Sequence, residues 1–453
     1  MLLLTDGTVL CHSSNTPQWW RLTPDPNGDY RRGTWSRAGD MHNGPLYFAS
    51  AVLRSGKVFV AGGEYNFGKQ VDLLAAEIYD PILNTWSVLP TPPGWKAIGD
   101  APCCVLPDGR ILLGSINDKR TAIYDPEREA WTETGTKQNP SSNEETWTLL
   151  SDGTVLTVDC FGHPAAERYL TTGQWVSAGM AVPDLVEDSS KEIGPAILLP
   201  DGRVFAVGAT RNTALYSPAA LASDPGTWKA GPAFPEADDQ TIGAKDAPAT
   251  LLPNGRVLCA VGPVDGIEDH YHSPTYCFEF DPREMLLTQV SDPLGNNIAP
   301  YETRMLLLPT GDVLFGNGQT IAVYHPDGAP ADSWRPRITT APAVLLIEKT
   351  HRIEGQQLNG LSQAVSYGDD ASMATNYPLA RLERDHLCWY CPTGNHSTMA
   401  VATGATPQHT DITIPKNVPE GPASLVLIAN GIPSHPHPVN IQKPTIRRAA
   451  DAE

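Results

Sequence analysis

Carboxylates recur at one spacing along this chain. Nine residues before each of six turn glycines stand Tyr47, Asp100, Glu144, Ile193, Asp246 and Glu302. Glu145 follows Glu144, and Glu192 precedes Ile193, so an acid stands at or beside every one of these positions but the first. Like charges brought together either bind a cation, pair with a base, or hold protons at a raised pKa. Lys191 and Lys245 adjoin two of the acids, and Arg304 lies near Glu302. Two readings stand. The acids cap backbone N–H groups and pair with these bases, or they line a site for a cation or a polar ligand.

The glycines that set this count belong to a repeat. Gly7, Gly56, Gly109, Gly153, Gly202, Gly255 and Gly311 mostly follow Asp, Asn, Ser or Thr, at intervals of about 50 residues. Residues 46–63 show the unit: an apolar run, a turn at Ser55-Gly56, and a second run closed by Gly62-Gly63. Asp-Gly and Asn-Gly supply the positive φ of a tight hairpin. A third run ends in tyrosine (Tyr79, Tyr124, Tyr216, Tyr324), and a fourth carries tryptophan (Trp35, Trp86, Trp131, Trp175, Trp228). These aromatics are expected to pack blade against blade. Seven such units predict an all-β fold, a seven-bladed kelch-type β-propeller over residues 1–337. The acids would then sit where each innermost strand begins, near the axis. The seventh unit lacks an outer strand, which predicts an open edge filled by a lost N-terminal strand or a neighbouring segment.

From residue 338 to 443 the hairpin repeat stops. Alternating apolar runs bounded by Pro and Gly predict an immunoglobulin-like sandwich. Residues 444–453 read as a disordered tail.

Composition narrows the classes of function. The 453 residues carry Lys+Arg 32 against Asp+Glu 51, a net charge of −19. That balance argues against nucleic acid and anionic membranes as partners. No apolar run is long enough to predict a membrane span. Glycine-rich phosphate loops and Gly-x-Ser-x-Gly elbows are absent, so no nucleotide cofactor and no serine hydrolysis is expected. The cysteines are too dispersed for a disulfide scaffold, and Cys388-x-x-Cys391 has no matching second pair, so buried thiols are expected. His270-x-His272 is weighed as a metal pair against a solvated loop. His435 and His437 lie between prolines, and His163 and His409 carry no pattern.

Residues 46–63 resemble the innermost hairpin of galactose oxidase and its copper-radical relatives. The resemblance places Tyr47 on the family's radical tyrosine. It sets Tyr301-Glu302-Thr303 on the Tyr-His-Ser segment that binds copper. It puts Tyr65 where the family stacks a tryptophan over the radical. Residues 335–339 open a C-terminal domain similar to the family's early-set sandwich. Asn395-His396-Ser397 matches the loop that carries a histidine up the propeller axis. The resemblance thus implies a metal held by Tyr47, Tyr301, Glu302 and His396, with Tyr47, Glu302 and His396 catalytic; the spacing from the turn glycines separately predicts Asp100, Glu144, Glu192 and Asp246 as an axial acidic ring. Copper is the metal the resemblance implies. A carboxylate at 302 in place of histidine shifts preference toward calcium or another divalent ion. The cross-linking cysteine of the family belongs ahead of Gly7, and Cys11 lies after it. These departures predict a retooled oxidoreductase acting on a small alcohol, aldehyde or carbohydrate. The alternatives are a non-redox enzyme using Glu302 and His396 for acid–base work, and a non-catalytic propeller that binds a glycan or protein. The family implies export; Met1 as a native start implies the cytoplasm.

Overall fold

The structure, a computed structural model, describes residues 1–294, 297–367 and 375–444. Among these residues the chain folds into seven antiparallel sheets arranged as a propeller, followed by a two-sheet sandwich. The innermost strands are Leu2–Leu3, Ala49–Val52, Cys103–Val105, Thr148–Leu149, Ala196–Leu198, Pro248–Leu251 and Arg304–Leu307. Each touches the next, and Leu2–Leu3 touches Arg304–Leu307, so the ring closes. Five blades are plain four-stranded sheets, and the sixth is enlarged by two further strands. The seventh has three, Arg304–Leu307, Val313–Gly316 and Ile321–Tyr324. The tail read as disordered lies outside the described residues from 445 onward.

One hairpin builds all seven blades. The turn glycines have φ between 77° and 89°. A buried leucine stands three residues before each: Leu4, Leu53, Leu106, Leu150, Leu199, Leu252 and Leu308. Its carbonyl accepts the glycine N–H at 2.8–3.0 Å, and its own N–H reaches the carbonyl four residues on at 2.8 Å. Glycine alone in these loops takes positive φ, so the loop is a three-residue turn closed by a glycine bulge rather than a two-residue turn. The preceding Asp or Asn instead accepts the N–H two residues on, as Asp108 does from Arg110 at 3.0 Å. These turns define the turn face of the propeller. The opposite end, where inner strands begin, is the entry face.

The aromatic repeat locks blade to blade. Within a blade, Tyr79–Trp86, Tyr124–Trp131 and Tyr216–Trp228 pair across adjacent strands with ring centroids 5.0–5.1 Å apart. Trp86, Trp131 and Trp228 each donate an indole N–H to a carbonyl of the preceding blade or its link, those of Gly39, Pro90 and Ala178. Each such ring pair adds about 1 kcal/mol beyond the area it buries. The eight cysteines are free thiols; six are buried, and Cys11 and Cys388 are half-buried.

The sandwich stacks the sheet of Arg337–Thr340, Thr350–Gln356, Pro407–Thr413 and Thr393–Gly394 on the sheet of Val344–Leu346, His437–Gln442, Gly421–Ala429, Leu379–Arg384 and Leu387–Cys391. Leu345, Ile353, Leu382, Ile412 and Leu425 fill the space between them. It docks on the turn face: Tyr377 donates its hydroxyl to the Leu3 carbonyl, and the Met399 N–H reaches Pro107 at 2.8 Å. One segment leaves it for the axis. Val365–Tyr367 pairs antiparallel with the inner edge of Pro248–Leu251, Val365 opposite Thr250 and Tyr367 opposite Pro248. It climbs from the turn face toward the entry face, and so belongs to the sixth blade as well as to the sandwich.

Candidate functional site

The entry face holds two adjoining features, a cluster of acids near the axis, termed the pit, and a cavity beside it. The inner strands enter the pit through strained backbone. Tyr47, Glu144 and Asp246 have φ of 53°, 61° and 48°. Side chains seldom adopt this region, and such residues cluster at ligand sites. Their sharp entry turns the carboxylates inward.

The structure brings Glu144, Glu192 and Asp246 into one electrostatic cluster. Burial raises the Glu192 carboxyl well above its ordinary range, and Glu144 and Asp246 add to that rise. Asp100 is raised to about 7, first by burial and then by Glu64, Asp72 and Asp246. Glu145 is not part of this cluster. It turns into the fourth blade, where its carboxylate pairs with buried Lys137 and accepts the Trp147 indole N–H at 3.0 Å. The Asp159 carboxylate lies 2.8 Å from the same ammonium.

A loop from the sixth blade overhangs the pit. It joins Val257–Pro263 to Tyr276–Asp281 and carries Tyr271 inward. The Tyr271 hydroxyl donates to Glu192 Oε1 at 2.5 Å, and its ring lies 4.7 Å from that of Tyr301. The Lys245 ammonium sits 4.5 Å over the same ring and donates to the Ile267 and His270 carbonyls at 3.3 Å each. Desolvation and the facing carboxylates push the Tyr271 phenol far up, so it stays protonated and donates to Glu192. Sequence reasoning missed Tyr271, because its flanking polar loop reads as solvated.

The cavity encloses about 710 Å³ between the first and seventh blades. Tyr47, Tyr301, Glu302, Arg304, Cys11 and His12 line it, with Trp19, Trp20 and Trp35 as its apolar wall. Tyr65 stands beside Tyr47, ring centroids 6.3 Å apart at 69°. Burial first, then Glu302 and Asp246, raise the Tyr301 phenol. Glu302 itself closes a short 3-10 turn, Pro300–Glu302, and is exposed. His12 Nε2 donates to the Thr16 carbonyl at 2.7 Å, and burial lowers its pKa to about 4.

His396 is not at this site. Its Nδ1 lies 2.9 Å from Thr410 Oγ1, and the ring is fully buried on the turn face beside Arg54 and Asp411. Arg54 and Tyr47 lie at opposite ends of one inner strand, roughly 20 Å apart at the rise of a β-strand. The reason is local pairing. Thr393–Gly394 is held in the sandwich by Pro407–Thr413, and Thr398 Oγ1 donates to the Pro107 carbonyl at 3.0 Å. The segment that runs up the axis is Val365–Tyr367, which contains no histidine.

These placements test the copper set. Two phenols and one exposed carboxylate border the cavity; the imidazole expected from His396 is absent there. Among the described residues, no three His, Cys, Asp or Glu side chains of the pit come close enough to share one ion. Among the described residues, then, the set does not fit the family's copper centre, nor an all-carboxylate calcium cage. The pit acids are near enough that Glu144 and Asp246 add to the raised pKa of Glu192.

Comparison with known proteins agrees with the fold. Residues 45–93 match the Kelch motif. A fungal alcohol oxidase of the AA5 family, solved in complex with copper, superposes with a TM-score of 0.56 at 14% identity, covering 97% of this chain and 96% of that one. An F-box/kelch-repeat protein of Arabidopsis thaliana is 29% identical over 161 residues, a match that spans 31% of this chain and 31% of that protein. The chain thus shares the fold of galactose-oxidase-like enzymes from end to end, and the resemblance seen at residues 46–63 holds at that level.

Proposed function

We propose that this galactose-oxidase-like propeller binds a small polyhydroxylated molecule, an alcohol, aldehyde or carbohydrate, in the pit and its side cavity, and moves protons on it. The observation that carries the reading is the Tyr271–Glu192 hydrogen bond of 2.5 Å, set among like charges, with the Tyr271 ring tilted 50° against that of Tyr301. Aromatic faces beside carboxylates suit sugar rings, whose C–H faces are apolar and whose hydroxyls need acceptors. A carboxyl raised by burial can hold and give a proton near neutral pH. Glu192, held protonated, is the proton donor. Asp246 and Glu144 are the carboxylates that accept. Tyr271 and Tyr301 orient the ligand, and Arg304 anchors its far end in the cavity.

The test is calorimetric binding and turnover with a panel of sugars, polyols and small aldehydes. Glu192→Gln should abolish turnover and leave binding within about threefold, since the amide keeps the donor but cannot release its proton. Binding unchanged by both Tyr271→Ala and Glu192→Gln would remove the pit from function.

A second reading, oxidation of an alcohol with copper, has one specific support: Tyr47 and Tyr301 border one cavity, as two phenolic ligands would. Copper added to purified protein, followed by hydrogen peroxide release on alcohols that is lost in Tyr47→Phe, would favour it over the acid–base reading.

A further inference from the structure

The loop that carries Tyr271 has an outer side that the pit does not use. There Asp265 Oδ2 lies 3.0 Å from His270 Nδ1 and 2.8 Å from His272 Nε2. The imidazole rings stand nearly perpendicular, centroids 5.5 Å apart. Histidines two residues apart face the same way along an extended chain, while the residue between faces the other. Here that residue is Tyr271, which turns inward to Glu192.

We propose that Asp265, His270 and His272 form a binding site for a divalent transition metal of the zinc class, separate from the axial pit. One donor atom from each residue lies within 4.8 Å of the others, and among the described residues this is the grouping of His, Cys, Asp and Glu that converges so far. Ligand atoms around a tetrahedral zinc stand about 3.3 Å apart, given bonds of about 2.0 Å. The two Asp265 contacts already approach that spacing, so small side-chain rotations admit an ion. Two imidazoles and one carboxylate suit zinc and its neighbours. They supply too few oxygens for calcium or magnesium and no thiolate for cuprous ions. All three side chains are partly exposed, which leaves the fourth position open to water. Both histidines hold Asp265 well below the usual carboxylate range, so it stands ready as an anionic ligand.

The site would act as a fastener. Lys245 holds the loop from beneath through the Ile267 and His270 carbonyls. A metal on the outer side would fix His270 and His272 on either side of Tyr271, and thereby set the phenol over Glu192. The metal ligands are positioning residues for the pit.

The experiment uses the full chain, stripped with chelator and titrated with zinc by calorimetry near neutral pH. One zinc per chain is expected. The double variant H270Q/H272Q and the single variant Asp265→Asn should each weaken it by about tenfold or more, while Tyr47→Phe leaves it unchanged. Affinity should fall on acidification, because an imidazole binds a metal only in its neutral form. Cobalt in place of zinc should give an absorption band that the double variant lacks. Absence of stoichiometric binding by the wild-type chain, or equal affinity in the double variant with its melting temperature unchanged, would overturn the proposal. Zinc loss with Tyr47→Phe but not with H270Q/H272Q would move the ion to the cavity and equally overturn it.

Discussion

The two ends of the inner strands obey opposite rules. On the turn face, seven hairpins repeat one leucine, one glycine and one hydrogen-bond pattern. On the entry face, the equivalent positions hold a tyrosine, carboxylates and an isoleucine, three of them on strained backbone. Repetition maintains the ring, and any departure there costs stability. Variation places unlike groups around a shared axis, and departures there change chemistry. The same strands therefore carry a structural end and a chemical end.

The widest separation between those ends should come from Gly7. A Cβ there would meet the Tyr390 ring at 2.4 Å, where the sandwich rests on the first turn. Gly7→Ala should destabilise the protein by about 3 kcal/mol, from the left-handed backbone plus the clash. Gly202 has the same φ class but no neighbour within 4 Å of a Cβ, so Gly202→Ala should cost only about 1 kcal/mol. Chemical denaturation of the two variants measures the difference. Equal losses would mean that the sandwich does not rest on the first turn.

His396→Ala comes next. Removing a buried, hydrogen-bonded ring should cost about 2 kcal/mol and leave ligand binding at the pit unchanged. A binding defect with intact stability would place His396 on the chemical end after all.

A smaller effect, of opposite sign, is expected at Asp100. Its folded pKa of about 7 exceeds the ordinary carboxylate value, so between that value and 7 the folded state binds more protons than the unfolded. This contribution to stability is present at acid pH and is lost as pH rises through that window. Asp100→Asn should raise the melting temperature by about 2 °C above neutrality and leave it unchanged near pH 4. Thermal scans at the two pH values decide it. The smallest effect belongs to Glu302. It is exposed, and Glu302→Gln should alter stability by less than about 0.5 kcal/mol.

The contrast also explains which parts were legible beforehand. The turn face could be read from Leu-x-x-Gly because a glycine with positive φ answers a local need, met within five residues. The acids of the entry face could be found by counting from those glycines, since the start of each inner segment keeps nearly the same offset from its turn glycine. Glu145 shows the limit of counting: adjacent residues in a sharp turn point apart, and Lys137 claimed its side chain. His396 was misplaced for another reason. Which sandwich loop enters the axis is decided by pairing with Pro248–Leu251, more than a hundred residues upstream, and an Asn-His-Ser triplet holds no record of that partner. Tyr271 escaped because a loop without periodicity does not disclose which way its side chains face.

The strand Val365–Tyr367 has a mechanical corollary. It is hydrogen-bonded into a propeller sheet, while Leu361 and Ser362 just before it donate to Asn430 of the sandwich, so neither lobe is expected to melt on its own. Heat should dissolve both in a single cooperative endotherm, and a protease that cuts the covalent link near residue 335 should release no free lobe.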